Sequence, residues 1–310
     1  MRILLFGANG QVGHELRRSL EPLGEIVATT RSGVLDDGTH CEVADFYAPD
    51  ALPALIERIA PDVVVNAAAY TAVDRAESDR DAAFRANAEA PQRIAEACAA
   101  RDALLVHYST DYVFDGSGTR PYREEVPTAP LGVYGESKLA GEQAVAASGA
   151  RHIIFRTAWV YAAHGKNFMR TVLRLASERD ELHIVADQIG TPTPAALIAD
   201  VTAMALARPF ARSGLWHLTA AGETTWHGFA EAIVAAAHAR GLIAAAPRVV
   251  PIATADYPTL AKRPGYSRLD ARRLISDFSL VLPDWHEGLN RTLDELASMP
   301  VNRIIVPRSP

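Results

Sequence analysis

Short apolar runs alternate with stretches of helical periodicity along the first half of the chain. The apolar runs predict strands at residues 2–6, 25–29, 62–66, 103–108 and 152–156. The amphipathic stretches between them predict helices at residues 11–21, 50–59, 79–100 and 134–148. Strands that are apolar throughout are typical of parallel sheets covered by helices on both faces. The pattern therefore predicts an α/β fold built on a doubly wound parallel sheet.

The alternation weakens beyond residue 156. Loop-like stretches with proline separate shorter helical patterns, which lie near residues 167–178, 195–206 and 226–240. We assign residues 1–156 to a first domain that later segments complete, and residues 157–300 to a smaller, interleaved α/β lobe. Residues 301–310 carry no clear pattern and are predicted to form a tail.

A glycine-rich turn follows the first predicted strand and precedes the first helix. Gly7 permits a tight turn, Gly10 lets the backbone approach a pyrophosphate, and Gly13 allows close packing. The helix amino end adds unpaired N–H groups and a positive dipole. The glycine spacing is one residue wider than the usual dinucleotide fingerprint, and a purely structural turn is the alternative interpretation. The strand before the turn and the helix after it favour a dinucleotide-binding domain.

The end of the second predicted strand bears on the choice of cofactor. An NAD site would place an acidic residue there to hold the ribose hydroxyls, but the chain has Arg31. A guanidinium suits a 2′-phosphate, so Arg31 favours NADPH. The alternative is an exposed loop arginine. Small residues after the third strand, Ala67, Ala68 and Ala69, would let a flat cofactor lie close.

Tyr134 and Lys138 lie four residues apart on a predicted helix, and the chain has only three lysines. Residues at this spacing share one helix face. A cation about 4 Å from a phenol, at an effective dielectric of about 20, would lower the phenol pKa by about three units. The pair is therefore predicted to form a proton donor. A solvated surface pair is the alternative.

Residues that follow parallel strands lie where ligands of such sheets bind. Thr110 follows the strand at residues 103–108 and could hydrogen-bond a substrate carbonyl beside Tyr134. It could equally satisfy a backbone group at the strand end. Trp159 follows the strand at residues 152–156 and would either stack on a sugar or fill the core.

Composition narrows the class of protein. The chain has 310 residues, 49% of them hydrophobic, and a net charge of −6, which argues against a nucleic-acid surface. Cys41 and Cys98 are too few for a disulfide framework, and the ten histidines show no ligand spacing with them. The apolar amino-terminal run is too short for a secretory signal, and no stretch approaches a membrane span. We expect a cytoplasmic protein without structural zinc.

Four motifs occur together and in order: the glycine turn, residues 66–69, residues 109–114 and Tyr134-x-x-x-Lys138. With them the chain resembles the extended short-chain dehydrogenases/reductases, which carry a Rossmann-type sheet. Residues 155–161, residues 187–193 and Arg263-Pro264 are similar to the dTDP-4-dehydrorhamnose reductase family, and the likeness covers about residues 1–297.

The resemblance implies the site residues and the reaction. The catalytic triad would be Thr110, Tyr134 and Lys138. Together with the residues discussed above, the cofactor site would comprise Gly7, Gly10, Gln11, Val12, Gly13, Arg31, Asp45, Phe46, Ala67, Ala68, Ala69, Tyr70, Thr71, Tyr134 and Lys138. The substrate site would comprise Thr110, Asp111, Tyr112, Trp159 and Arg263. The implied reaction reduces dTDP-4-dehydro-β-L-rhamnose to dTDP-β-L-rhamnose with NADPH, or alternatively NADH, and a homodimer remains open.

The chain departs from the family in one respect, and two other functions stay open. Reductases of this family are associated with Mg²⁺ through a glutamate in the segment that here spans residues 193–198, which contains no acid, so we predict no metal site. Nucleotide-sugar dehydratases and epimerases share the fold, but dehydratases place an acid pair after the threonine, whereas Thr110 precedes one acid and then Tyr112. A non-catalytic NADP-binding regulatory subunit is the third interpretation, and the intact triad argues against it.

Overall fold

The computed structural model describes residues 1–208 and 213–299. In this part of the chain a seven-stranded sheet has the order β11-β6-β5-β4-β1-β2-β3. The strands are β1 (Arg2–Phe6), β2 (Glu25–Thr30), β3 (Glu42–Val43), β4 (Val63–Asn66), β5 (Leu104–Thr110), β6 (His152–Thr157), β7 (Val160–Tyr161), β8 (Glu181–Val185), β9 (Ile189–Gly190), β10 (Thr193–Pro194), β11 (Gly214–His217), β12 (Thr224–Thr225) and β13 (Arg248–Ile252).

Helices cover both faces of this sheet and form most of the smaller lobe. They are α1 (Gln11–Leu20), α2 (Leu52–Ile59), α3 (Val73–Ala76), α4 (Arg80–Phe84), α5 (Ala90–Arg101), α6 (Val133–Ala147), α7 (Phe168–Glu178), α8 (Ala195–Leu206), α9 (Trp226–Ala239), α10 (Arg272–Phe278) and α11 (Trp285–Ser298). No helix within the described ranges is both long and apolar enough to cross a bilayer.

All pairings within the main sheet are parallel. Side chains alternate between its faces, so that Leu4 and Phe6 enter one core while Ile3 and Leu5 enter the other. Both cores are buried, which explains why the strands are apolar throughout. The predicted α/β fold with a doubly wound parallel sheet is confirmed. The strand order reverses beside β1, and the ligand crevice of such sheets opens at this point.

One predicted helix is interrupted. The pattern over residues 79–100 predicts a single helix, whereas the structure has α4, a π-helical segment over Arg85–Glu89, and then α5. Asn87 lies in the π segment, where its buried side chain bonds the backbone of Tyr70 and the hydroxyl of Ser137. Such local widening is common where a helical side chain must be aimed at a specific partner.

The smaller lobe has a core of its own, formed by side chains of α7, α9 and α11, including Phe229, Leu289 and Leu293. Helix α8 contributes only the partly buried Leu197 to this core, although the sequence pattern placed the helix in the smaller lobe. Its buried residues Ile198 and Val201 pack with α1 against the main sheet instead. The periodicity of a helix shows that it has an apolar face but not which partner covers it. The predicted tail at residues 301–310 lies outside the described residues.

Candidate active site

The glycine turn after β1 is built so tightly that it requires glycine. Gly7 has a φ of 79°, in the left-handed region, and the Gly10 N–H donates to its carbonyl at 2.9 Å. A Cβ on Gly13 would lie 2.0 Å from the Gly7 oxygen. A Cβ on Gly7 would lie 2.7 Å from the backbone nitrogen of Ala68. This turn therefore leaves the first amides of α1 at the open edge of the sheet, where a pyrophosphate fits.

Small residues after β4 form the neighbouring wall. The Ala67 N–H donates to Phe6 at 3.1 Å, and the Ala68 N–H donates to the Asn66 side chain at 3.1 Å. Tyr70 is buried, and its backbone exchanges two hydrogen bonds with Asn87. Thr71, the next residue, is exposed. The segment at residues 67–71 is thus held in place by buried asparagines on β4 and the π-helical segment.

The residues expected near the adenosine lie at the ends of β2 and β3. Arg31 directly follows β2, is exposed, and makes no hydrogen bond or ion pair with another described residue. Asp45 accepts a hydrogen bond from the Tyr47 N–H at 2.9 Å. Phe46 is buried, with its ring 5.6 Å from that of Phe6. Whether Arg31 contacts a 2′-phosphate stays a prediction.

Gln11 and Val12 begin α1 directly after the turn. The Gln11 side chain accepts a hydrogen bond of 2.8 Å from Asn167, and Val12 packs on the sheet core. A stretch of the second half of the chain, residues 164–167, therefore lies over the first turn of α1. It adds His164, whose ring is 4.1 Å from that of His14.

Lys138 is buried on α6 with 3% of its surface exposed. Its Nζ donates to the carbonyl of Tyr108 on β5 at 2.7 Å. Burial lowers the lysine pKa to about 8, while the negative charge of Glu142, one helical turn away, acts in the opposite direction. Burial, followed by the lysine charge, holds the pKa of the neighbouring His107 well below its usual value. The Lys138 side chain therefore lies in the protein interior, against the strand that ends at Thr110.

Tyr134 shares a helix face with Lys138, but the expected lowering of its pKa is wrong. Burial raises the pKa of Tyr134 to about 12, the hydrogen bond with Thr110 lowers it in part, and Asp111 raises it further. The phenolate would lose its hydration in this site, and the Lys138 ammonium is directed to the Tyr108 carbonyl. At neutral pH Tyr134 therefore carries its proton.

Thr110 and Asp111 stand at the end of β5 beside this phenol. The Thr110 hydroxyl donates to Asp111 Oδ1 at 3.1 Å and accepts from the Tyr112 N–H at 3.2 Å. Thr110 thus satisfies a backbone N–H at the strand end, as the alternative interpretation predicts. It also hydrogen-bonds Tyr134, as the catalytic interpretation requires. Burial raises the pKa of Asp111 to about 6. Its Oδ2 is buried, and the Ser267 side chain also hydrogen-bonds this carboxyl.

Tyr112 and Arg263 complete the cluster. The Tyr112 ring meets the Tyr134 ring edge to face, with centroids 5.5 Å apart. Arg263 hydrogen-bonds the Tyr112 side chain, and its Nη2 donates to Asp74 at 2.8 Å. Burial raises the pKa of Tyr112, so this phenol also stays neutral.

Trp159 lies at the end of β6 in a left-handed conformation, with a φ of 48°. Its ring stacks on Trp226 at a centroid distance of 3.5 Å. The ring also lies against Gly190, where a Cβ would come within 2.5 Å of it. Such backbone strain persists only where the surroundings impose it. The contact between Trp159 and a sugar stays a prediction. In the structure one face of the Trp159 ring stacks on the ring of Trp226.

The structure brings Thr110, Asp111, Tyr112, Tyr134 and Arg263 into one cluster, with Lys138 behind it. Sequence reasoning missed Asp74, Asn87 and Trp226. Asp74 lies three residues after the segment at residues 67–71, and of the three it is the one whose position in the sequence offered a signal. Residues 193–198 form β10 and the start of α8, and none of them carries a carboxylate. No group of three metal-binding side chains is assembled within the described ranges.

Comparisons with known proteins agree with this geometry. The sequence profile described as the RmlD substrate binding domain matches residues 1–298. The chain is 50% identical over 309 residues to the dTDP-4-dehydrorhamnose reductase of Burkholderia thailandensis, which covers 96% of this chain and 100% of that protein. The Shigella flexneri reductase of the same name is 48% identical over 299 residues, covering 96% and 98%.

A solved structure adds a cofactor complex. The dTDP-4-dehydrorhamnose reductase from Bacillus anthracis in complex with NADP is 34% identical, with a TM-score of 0.86 over 95% of this chain and 99% of that one. The fold, the matching profile and the near-complete coverage of these relatives agree. The chain belongs to the dTDP-4-dehydrorhamnose reductase family.

Proposed function

We propose that the protein is an NADPH-dependent dTDP-4-dehydrorhamnose reductase. It reduces the 4-keto group of dTDP-4-dehydro-β-L-rhamnose and forms dTDP-β-L-rhamnose for polysaccharide biosynthesis. The observation that carries the proposal is the Tyr134 phenol hydrogen-bonded to Thr110, at the sheet edge that also holds the glycine turn. The relatives that bear this name at 48% and 50% identity support the choice of substrate.

The residues of the site suit ketone reduction. Bound NADPH supplies the hydride that reaches carbon 4 of the sugar. Tyr134 holds the proton that the developing alkoxide requires, and the Thr110 hydroxyl, 3.1 Å from Asp111, orients the same oxygen. Lys138 is buried, and its bond to the Tyr108 carbonyl holds the helix that carries Tyr134 against the strand that ends at Thr110.

The glycine turn and the residues around it hold the cofactor. The glycines leave the backbone of the turn accessible to a dinucleotide. At Gly13 a Cβ would collide with the Gly7 carbonyl, so only glycine lets the helix start this close to the turn. Arg31 is exposed and has no hydrogen-bond or ion-pair partner among the described residues. In this proposal its guanidinium faces the 2′-phosphate of the cofactor. The protein should therefore bind NADPH more tightly than NADH. The NADP complex of the relative at 34% identity supports this assignment.

Asp111, Tyr112, Trp159 and Arg263 contact the nucleotide sugar. The buried Asp111 carboxylate accepts from a sugar hydroxyl, and Trp159, backed by Trp226, offers an aromatic surface. The protein works in the cytoplasm. A homodimer is a further part of the proposal, and light scattering of the purified protein tests it.

The direct test is incubation of the protein with NADPH and dTDP-4-dehydro-β-L-rhamnose. We expect loss of NADPH absorbance matched by formation of dTDP-rhamnose, identified by mass spectrometry. The Tyr134→Phe variant is the control for contaminating reductases. Conversion without net NADPH consumption would indicate an epimerase, and NADPH binding without conversion would indicate a regulatory subunit. The UDP-linked analogue, assayed in parallel, measures the preference for the base.

A further inference from the structure

One carboxylate connects the cofactor side of the site to the substrate side. Asp74 lies on α3, shortly after the small-residue segment at residues 67–71. Its Oδ1 accepts a hydrogen bond from the Ala261 N–H at 3.1 Å, and its Oδ2 accepts one from Arg263 Nη2 at 2.8 Å. The two partners are separated from Asp74 by 187 and 189 residues. Asp74 therefore holds both the backbone and a side chain of the segment at residues 261–263.

The contact leaves one donor group of the guanidinium unpaired. Arg263 is about a quarter exposed, at 23%, and it also contacts Tyr112 in the cluster around Tyr134. Its Nη1 is buried and has no hydrogen-bond partner among the described residues. A guanidinium held along one edge presents its other donors in a fixed direction, and this geometry matches a phosphate or diphosphate.

We infer that Asp74 is a positioning residue that aims Arg263 at the diphosphate of the nucleotide sugar. The inference rests on the proposed function, because it takes a nucleotide sugar as the substrate. Without the carboxylate, a flexible arginine must be ordered when the substrate binds, and this ordering weakens binding. Asp74 reaches the substrate only through the segment at residues 261–263, so we expect NADPH affinity to be independent of it.

Neighbouring residues provide matched comparisons. Glu77 accepts a hydrogen bond from the Val133 N–H at 2.9 Å, at the start of the helix that carries Tyr134. Its loss should disturb the catalytic helix rather than Arg263. Arg75, on the same short helix as Asp74, has 75% of its side chain exposed and pairs only with Asp79 among the described residues. Arg75→Ala is therefore the control for a changed charge on α3.

The test is a double-mutant cycle on dTDP binding, measured by calorimetry with the intact protein. We expect Asp74→Ala to weaken dTDP binding by about tenfold, the scale of a lost charge-assisted contact at a partly exposed site. NADPH binding should stay within about twofold, as should dTDP binding to Arg75→Ala. The variant with both Asp74→Ala and Arg263→Ala should bind dTDP no more weakly than Arg263→Ala alone.

Additive effects in the cycle would overturn the inference, as would unchanged dTDP binding in Asp74→Ala. Either result leaves the proposed function intact if the wild type still reduces dTDP-4-dehydrorhamnose. If the wild type binds no dTDP, the inference fails, and the reductase assay alone decides the proposed function. Asp74→Asn is a second variant in case Asp74→Ala unfolds, and it should weaken dTDP binding because an amide lacks the charge.

Discussion

The Nζ of Lys138 donates a 2.7 Å hydrogen bond to the backbone carbonyl of Tyr108. This bond ties the helix that carries Tyr134 to the strand that ends at Thr110. Lys138 is buried, and the desolvation lowers its pKa to about 8. The same residue therefore joins the two segments of the candidate site and changes its charge within an accessible pH range.

We expect activity to fall as the pH rises through about 8. The ammonium form of Lys138 exists below its folded-state pKa and is lost above it, so its charge-assisted bond to the Tyr108 carbonyl, which fixes the helix that carries Tyr134, weakens on the alkaline side. The measurement is kcat as a function of pH with saturating substrates. Lys138→Arg keeps its charge across this range, and although its rate should be lower, the alkaline decline near pH 8 should be absent. A wild-type profile that stays flat to about pH 10 would contradict this role.

Replacing Tyr134 by Phe should lower kcat by about 10² to 10⁴. The substitution removes the proton donor and leaves the ring that meets Tyr112 at 5.5 Å, so folding should be preserved. NADPH binding, measured by fluorescence titration, should change little. A variant that retains a tenth or more of the wild-type rate would show that another group donates the proton.

Arg31→Ala should weaken NADPH binding selectively, by about 1.5–3 kcal/mol for one lost charged hydrogen bond. NADH binding should be nearly unaffected because NADH lacks the 2′-phosphate. Dissociation constants for both cofactors decide the question without a sugar substrate. Arg179→Ala, which removes another exposed arginine, is the matched control. Equal weakening of both cofactors would assign Arg31 to loop structure, and no change would make it a surface residue.

Gly13→Ala should both destabilise the fold and abolish NADPH binding. The added Cβ would lie 2.0 Å from the Gly7 oxygen, so the turn must move, at a cost of about 1–3 kcal/mol. Urea unfolding measures the stability, and fluorescence titration measures binding. At Gly149 a Cβ has no neighbour within 4 Å, and φ is +80°. Gly149→Ala should therefore lose about 1 kcal/mol through backbone strain and bind NADPH normally.

Local features of the chain were predictable from the sequence. The strand at Arg2–Phe6 followed from its apolar run, and the helix with Tyr134 and Lys138 followed from its helical pattern and the four-residue spacing that places both side chains on one face. The glycine turn followed from its own spacing and from its place between a strand and a helix. Each of these properties depends on residues that are close together in the chain.

Properties that depend on distant segments required the folded protein. The direction of the Tyr134 pKa shift is set by burial, which sums contributions from several strands and loops, so the spacing to Lys138 could not reveal it. The Asp74–Arg263 pair, the stacking of Trp159 on Trp226 and the packing of α8 on the main sheet also join distant parts of the chain. Periodicity identifies the apolar face of an element, whereas its partner is decided by the topology, which brings together two residues 189 positions apart in the chain.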